Sequence, residues 1–139
     1  MFKIIKQLFL IFILALILNL IWEHWHSQFY QHYQGGEISN FILGRAALFD
    51  ASFITLVSLS FLVFQRLQKR LWLAFVIGVV FALALELFAL QTGRWSYNSL
   101  MPIIPLLKVG LTPTLQLGLI NYLLLKLTLF PNLLFNFKN

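Results

Sequence analysis

The chain has 139 residues, of which 60% are hydrophobic and 10% charged, with a formal net charge of +6. Soluble domains carry about 25% charged residues, so the polar cover of a water-facing surface is missing, and continuous apolar runs without period-two alternation argue against a β-barrel. The absence of cysteine excludes disulfides, thiolate catalysis and thiolate metal sites, and the basic residues flank apolar runs as helix anchors, so no nucleic-acid partner is expected.

A bilayer core needs about 20 apolar residues per helix. The chain divides on that scale into one all-α transmembrane domain, residues 1–139, with four predicted spans at 8–27, 41–64, 71–90 and 112–130. Lys3 and Lys6 precede the first span, as in a signal peptide. The residues after its apolar run are Trp22, Glu23, His24, Trp25 and His26, not the small residues that cleavage needs, so the segment is expected to stay as a helix. Asn19, Glu23, His26, Tyr30 and Tyr33 follow at steps of four and three, which would place them on one side of that helix. His24 points elsewhere, and His24 and His32 read as wet interfacial residues.

Gly35 and Gly36 make a turn, with Ser39 or Asn40 as the cap of the second span. Gly44, Ala47, Ala51, Thr55 and Ser58 form a small-residue stripe there, of the kind that lets membrane helices approach closely. Asp50 neighbours it and is expected to face the bundle. In the third span, Ala74, Gly78, Ala82 and Glu86 recur every four residues and turn Glu86 towards a neighbouring helix. The connection over 91–111 contains Pro102 and Pro105, which forbid a regular helix through it. Thr112 is the expected N-cap of the fourth span and Pro113 its first residue, with Gln116 and Asn121 as buried polar groups.

Lys3, Lys6, Arg66, Lys69, Arg70, Lys126 and Lys138 lie at one end of this arrangement, and Arg45, Arg94 and Lys108 at the other. The excess predicts both termini in the cytoplasm. All four acids, Glu23, Glu37, Asp50 and Glu86, then fall in or near the outer half. A charge at the centre of a spanning helix costs about 2.5–3.5 kcal/mol on insertion scales, so such a cluster is either mutually compensated or functional.

Three readings follow. Glu23, His26, Asp50 and Glu86 are candidate acid–base groups, with Asn19, Tyr30, Arg94, Trp95, Tyr97 and Gln116 as substrate-binding residues and Arg94 as a clamp for an anionic group. The same four residues are also candidate ligands for a single divalent metal, although no cofactor is required. A purely structural alternative pairs Arg45 with Asp50 and Arg94 with Glu86. The expected function is an enzyme acting on a lipid or isoprenoid-like substrate. The alternatives are a non-enzymatic subunit of a membrane complex, a homo-oligomer, or a small proton-coupled carrier.

The motifs N-x-x-W-E-x-x-H from Asn19 to His26, Asp50, Glu86, GRWSY from Gly93 to Tyr97, MPIIP from Met101 to Pro105 and VGLTPTLQ from Val109 to Gln116 resemble small uncharacterised four-helix bacterial integral membrane proteins. The resemblance covers most of the chain. It implies a bacterial inner membrane and no assigned activity.

Overall fold

A computed structural model describes residues 2–131. Four long helices dominate it: α1 (Phe2–His26), α2 (Asn40–Val63), α4 (Trp72–Gln91) and α5 (Leu111–Leu129), with a single turn, α3 (Gln65–Gln68), between α2 and α4. Three of the four, α1, α2 and α4, are long and apolar enough to cross a bilayer. The chain is a multi-pass integral membrane protein. The fourth, α5, carries Gln116, Asn121 and Lys126 within 19 residues and is less apolar, yet it has the largest set of buried residues of the four. It packs against α4, α1 and α2, and its Gln116 and Asn121 side chains bond to groups of α1 and α4.

Helix α1 packs along α2, and α4 along α5. The small-residue stripes make both approaches. Ala47, Ala51 and Ser58 are buried on α2 and Ala74, Gly78, Ala82 and Glu86 on α4, as the four-residue spacing anticipates. Gly44 does not take part, since a Cβ there would meet nothing within 4 Å. At the crossing of α4 and α5, a Cβ on Gly78 would stand 2.5 Å from the Gly118 Cα, and one on Gly118 would stand 2.5 Å from the Phe75 carbonyl. Only glycine allows that separation.

The helix ends differ from expectation in instructive ways. The first span begins at Phe2, since Lys3 and Lys6 extend a helix end into polar surroundings without breaking it. Ser39 caps α2, its Oγ accepting from the Ile42 N–H at 3.3 Å. Thr112 is not a cap: Gly110 occupies that position, which moves Pro113 from the first helical residue to the third, still within the turn whose N–H groups lack helical partners. Lys138 lies outside the described residues.

Two small antiparallel sheets cover one end of the bundle. Strand β1 (Tyr30–Tyr33) pairs with β2 (Trp95–Tyr97), and β3 (Ile103–Ile104) pairs with β4 (Val109–Gly110). The turn after β1 has positive φ at both Gln34 (51°) and Gly35 (78°), and Tyr33 and Gly36 exchange two backbone bonds across it. Two central residues of positive φ are the hallmark of a type I′ hairpin turn.

Candidate functional site

The site is assembled at the sheet-covered end of the bundle, where four devices position its side chains. The first is the end of α4. The Gly93 N–H bonds the Leu90 carbonyl at 3.3 Å and the Arg94 N–H bonds that of Ala89 at 2.8 Å, with Gly93 at φ 66°. This double bond pattern is a Schellman motif. It reverses the chain, so that β2 returns over the last turns of α4, above Glu86.

The second device is the β1–β2 register. Tyr30 stands opposite Tyr97 and Tyr33 opposite Trp95, with an irregularity between Tyr30 and His32. On a regular strand, residues three apart face opposite sides. An inserted residue restores them to one side. Tyr30 and Tyr33 therefore share a side with His26 through a strand irregularity and not through a continued helix, which stops at His26.

These two devices bring three donors to one carboxyl. Glu86 is 5% exposed. Tyr30 donates to its Oε1 at 3.3 Å, Trp95 Nε1 donates to Oε2 at 3.2 Å, and the Tyr97 hydroxyl donates to Oε2 in a short bond. The Gly110 N–H in turn donates to the Tyr97 oxygen at 2.9 Å, which ties Glu86 to the start of α5. Tyr30 and Tyr97 lie outside the three apolar spans. Burial first, and then the neighbouring Glu86 carboxylate, push both phenols above their ordinary pKa, so they remain donors across the physiological range.

A buried amide pair is the third device. Gln116 of α5 donates from Nε2 to Asn19 Oδ1 at 2.7 Å, and Asn19 donates to the Ala15 carbonyl at 2.8 Å. The same Gln116 nitrogen lies 3.5 Å from Asp50 Oδ2. One amide thus links α1, α2 and α5 beneath the site.

The fourth is an aromatic cage around His26. The ring stacks on Trp22 (centroids 5.1 Å, 21°) and meets Phe29 and Tyr30 at 5.2 and 5.3 Å. Its Nε2 lies 2.7 Å from Thr112 Oγ1. His26 joins α1 to α5 as a clasp, and its outer nitrogen is already occupied.

Between these groups lies a cavity of about 270 Å³, whose wall includes Glu23, Asp50, Glu86, Arg45, Arg94 and Gln116. Carboxyls from three different helices meet there. Among the described residues no side chain donates to the Glu23 carboxyl, which leaves it open to an occupant. His26, Tyr30 and Trp95 also contribute to the wall. Of the remaining sequence candidates, Asn19 supports the site from beneath and Tyr97 acts on it through Glu86.

No family model, curated protein or solved structure matches the chain.

The geometry of the site changes two expectations. The ion-pair alternative does not form. Arg94 lies over the Phe88 ring at 5.1 Å and Arg45 over the Phe41 ring at 5.9 Å, while Glu86 and Asp50 take neutral donors. Neutral partners satisfy a buried carboxyl without requiring a long cation to be desolvated beside it. The single-metal arrangement of Glu23, His26, Asp50 and Glu86 is not formed either, because no three acids or histidines come close enough to share an ion among the described residues.

Arg45 is the residue that sequence reasoning did not include in the site. Its spacing held the signal: it is one turn before Phe49 on the same helix. His24 is exposed and its Nδ1 is 2.8 Å from the Leu20 carbonyl, while His32 accepts from the Gly35 N–H at 3.1 Å and shapes the turn.

Proposed function

We propose that the protein is a membrane-embedded enzyme acting on a lipid or isoprenoid-like substrate by proton transfer. All four long helices span the bilayer in this reading, both termini are cytoplasmic, and the cavity opens in the outer half of a bacterial inner membrane. The observation that carries the reading is the cavity itself. It unites carboxyls from α1, α2 and α4 beneath two arginines, inside a bundle whose helices expose many large apolar side chains.

The residues divide the work by their surroundings. Glu23 lacks a donor and exchanges the proton with the substrate. Glu86 is fixed by three donors and stabilises positive charge that develops nearby, as a preorganised carboxylate does. Asp50 assists from the opposite wall, oriented by Gln116. His26 is a positioning residue, since its ring is caged and bonded to Thr112. Arg94 holds an anionic group at the mouth.

The test is the lipid composition of vesicles that contain the purified protein, followed by mass spectrometry. The parent protein should convert one lipid class, and Glu23→Gln should abolish that conversion while leaving the folded protein in the same yield. Conversion at the parent rate in Glu23→Gln would remove Glu23 from the chemistry.

A further inference from the structure

The cavity wall extends to the contact between α2 and α4. Helices α2 and α4 belong to different tightly packed pairs and meet mainly through rings. Phe53 stacks on Phe81 with centroids 4.0 Å apart at 11°, and Phe49 lies 6.0 Å from the same Phe81 ring. On the site side of this stack, the cavity wall continues along α2 through Ile42, Ala46 and Phe49 and along α4 through Ala82 and Leu85. Phe49 lines the cavity and is 49% exposed. A half-exposed ring in the wall places Phe49 at an open side of the cavity.

Both cations of the site flank that opening. Arg45 is one turn from Phe49 on α2. Arg94 lies over Phe88, one turn beyond Leu85 on α4 and itself 49% exposed. Each guanidinium thus rests on an outward-facing ring, and both belong to the cavity wall. With the carboxyls Glu23, Asp50 and Glu86 deeper in, charge is ordered from cationic mouth to acidic floor.

We infer that the slot between α2 and α4 is the membrane-side entrance for a lipid whose phosphate headgroup carries a net negative charge, which Arg45 and Arg94 hold together, disfavouring a headgroup that adds its own cation, while the chain lies between Phe49 and Leu85. Paired guanidiniums suit a phosphate because each offers forked donors. Size sets how much of the lipid enters. About 270 Å³ is at the small end of ligand pockets, so the headgroup-proximal part fills the cavity and the rest of the chain stays in the slot and the bilayer. The Phe53–Phe81 stack is the lower limit of the slot. This inference names the substrate class of the site proposed above and rests on that reading.

The experiment is native mass spectrometry of the full chain, released from nanodiscs containing equal amounts of phosphatidylglycerol and phosphatidylcholine with identical chains. The parent should retain phosphatidylglycerol at least tenfold over phosphatidylcholine. The double variant Arg45→Gln, Arg94→Gln should lose the preference. Both side chains are exposed, so folding is little affected, and Arg66→Gln at the far end of the bundle should keep the preference. Leu85→Trp should lower retention of both lipids by filling the slot. Inorganic phosphate added at millimolar concentration should displace little of the bound lipid.

An unchanged preference in the double variant overturns the headgroup assignment. Complete displacement by inorganic phosphate, or full retention in Leu85→Trp, overturns the slot. Because retention is read without turnover, loss of the arginine effect with Glu23→Gln still inactive would remove this inference alone. The converse result would remove the proton-transfer reading alone.

Discussion

Tyr97 is the link whose loss should be felt at both ends of the site. Tyr97→Phe deletes one hydrogen bond to the Glu86 carboxyl and leaves the N–H of buried Gly110 without a partner. A hydrogen bond to a charged group contributes about 1.5–3 kcal/mol, and an orphaned buried donor costs about 1–3 kcal/mol. Tyr30 and Trp95 continue to hold Glu86, so the lower ends apply and the expected destabilisation is about 2.5 kcal/mol. Equilibrium unfolding in mixed micelles reads this directly. Tyr33→Phe is the control: its ring stacks on Trp95 at 6.3 Å and is retained in the variant, so its effect should stay within about 0.5 kcal/mol.

The same substitution has a pH signature. Burial and then Glu86 raise the Tyr97 pKa, so the folded state keeps a proton that unfolded tyrosine releases near pH ~10. The contribution is complete below about pH 10 and is lost as pH rises above it, because only the unfolded state gains by ionising. Tyr97→Phe should flatten that alkaline decline. Equal costs for Tyr97→Phe and Tyr33→Phe, or an alkaline decline unchanged by Tyr97→Phe, would refute the network.

The remaining expectations concern packing and topology. Gly118→Ala places a Cβ against the Phe75 carbonyl and should destabilise the bundle by about 1–3 kcal/mol, whereas Gly44→Ala, with open space at its Cβ, should be neutral or stabilising by up to about 1 kcal/mol in the same assay. A double-mutant cycle on Asn19→Ala and Gln116→Ala should return a coupling of about 0.6 kcal/mol, the average for hydrogen bonds between membrane helices, and no more than about 1.7 kcal/mol; zero coupling would mean that the pair does not bridge α1 and α5. The chain has no native cysteine, so single replacements report sidedness cleanly. Gly36→Cys should react with an impermeant maleimide on intact cells, and Lys69→Cys only after the membrane is opened.

The helical frame was legible because its signals are local. Long apolar runs and four-residue recurrence of small residues depend only on helix geometry, and they placed α2, α4, the Ala74–Gly78–Ala82 seam and inward-facing Glu86 within a residue or two. The first span was legible only in part, since the helix starts six residues before the expected boundary. The sheet was not legible. Strands β1 and β2 are four and three residues long and are stabilised by pairing across more than sixty residues of chain. Tyr30 and Tyr33 showed a helix-like step of three that a strand irregularity reproduces. The partners of Glu86 were named individually as binding residues, but their convergence depends on the Schellman turn at Gly93, whose effect is on chain direction and not on composition. Thr112 was misplaced as a cap because the preference of threonine for that position is local, whereas its bond to His26 is tertiary. The structural ion pairs failed for a related reason: opposite charges near in sequence suggest pairing, but aromatic faces and neutral donors lay closer.

Proton exchange between Glu23 and a bound lipid is tested most directly by deuterium. Vesicles containing the protein and an unsaturated or isoprenoid lipid pool are held in D2O, and the lipids are weighed by mass spectrometry. The parent should introduce carbon-bound deuterium into one lipid class, with Glu23→Gln introducing none. A lipid pool that stays unlabelled with the parent, or one labelled equally by both proteins, would contradict the proposed chemistry.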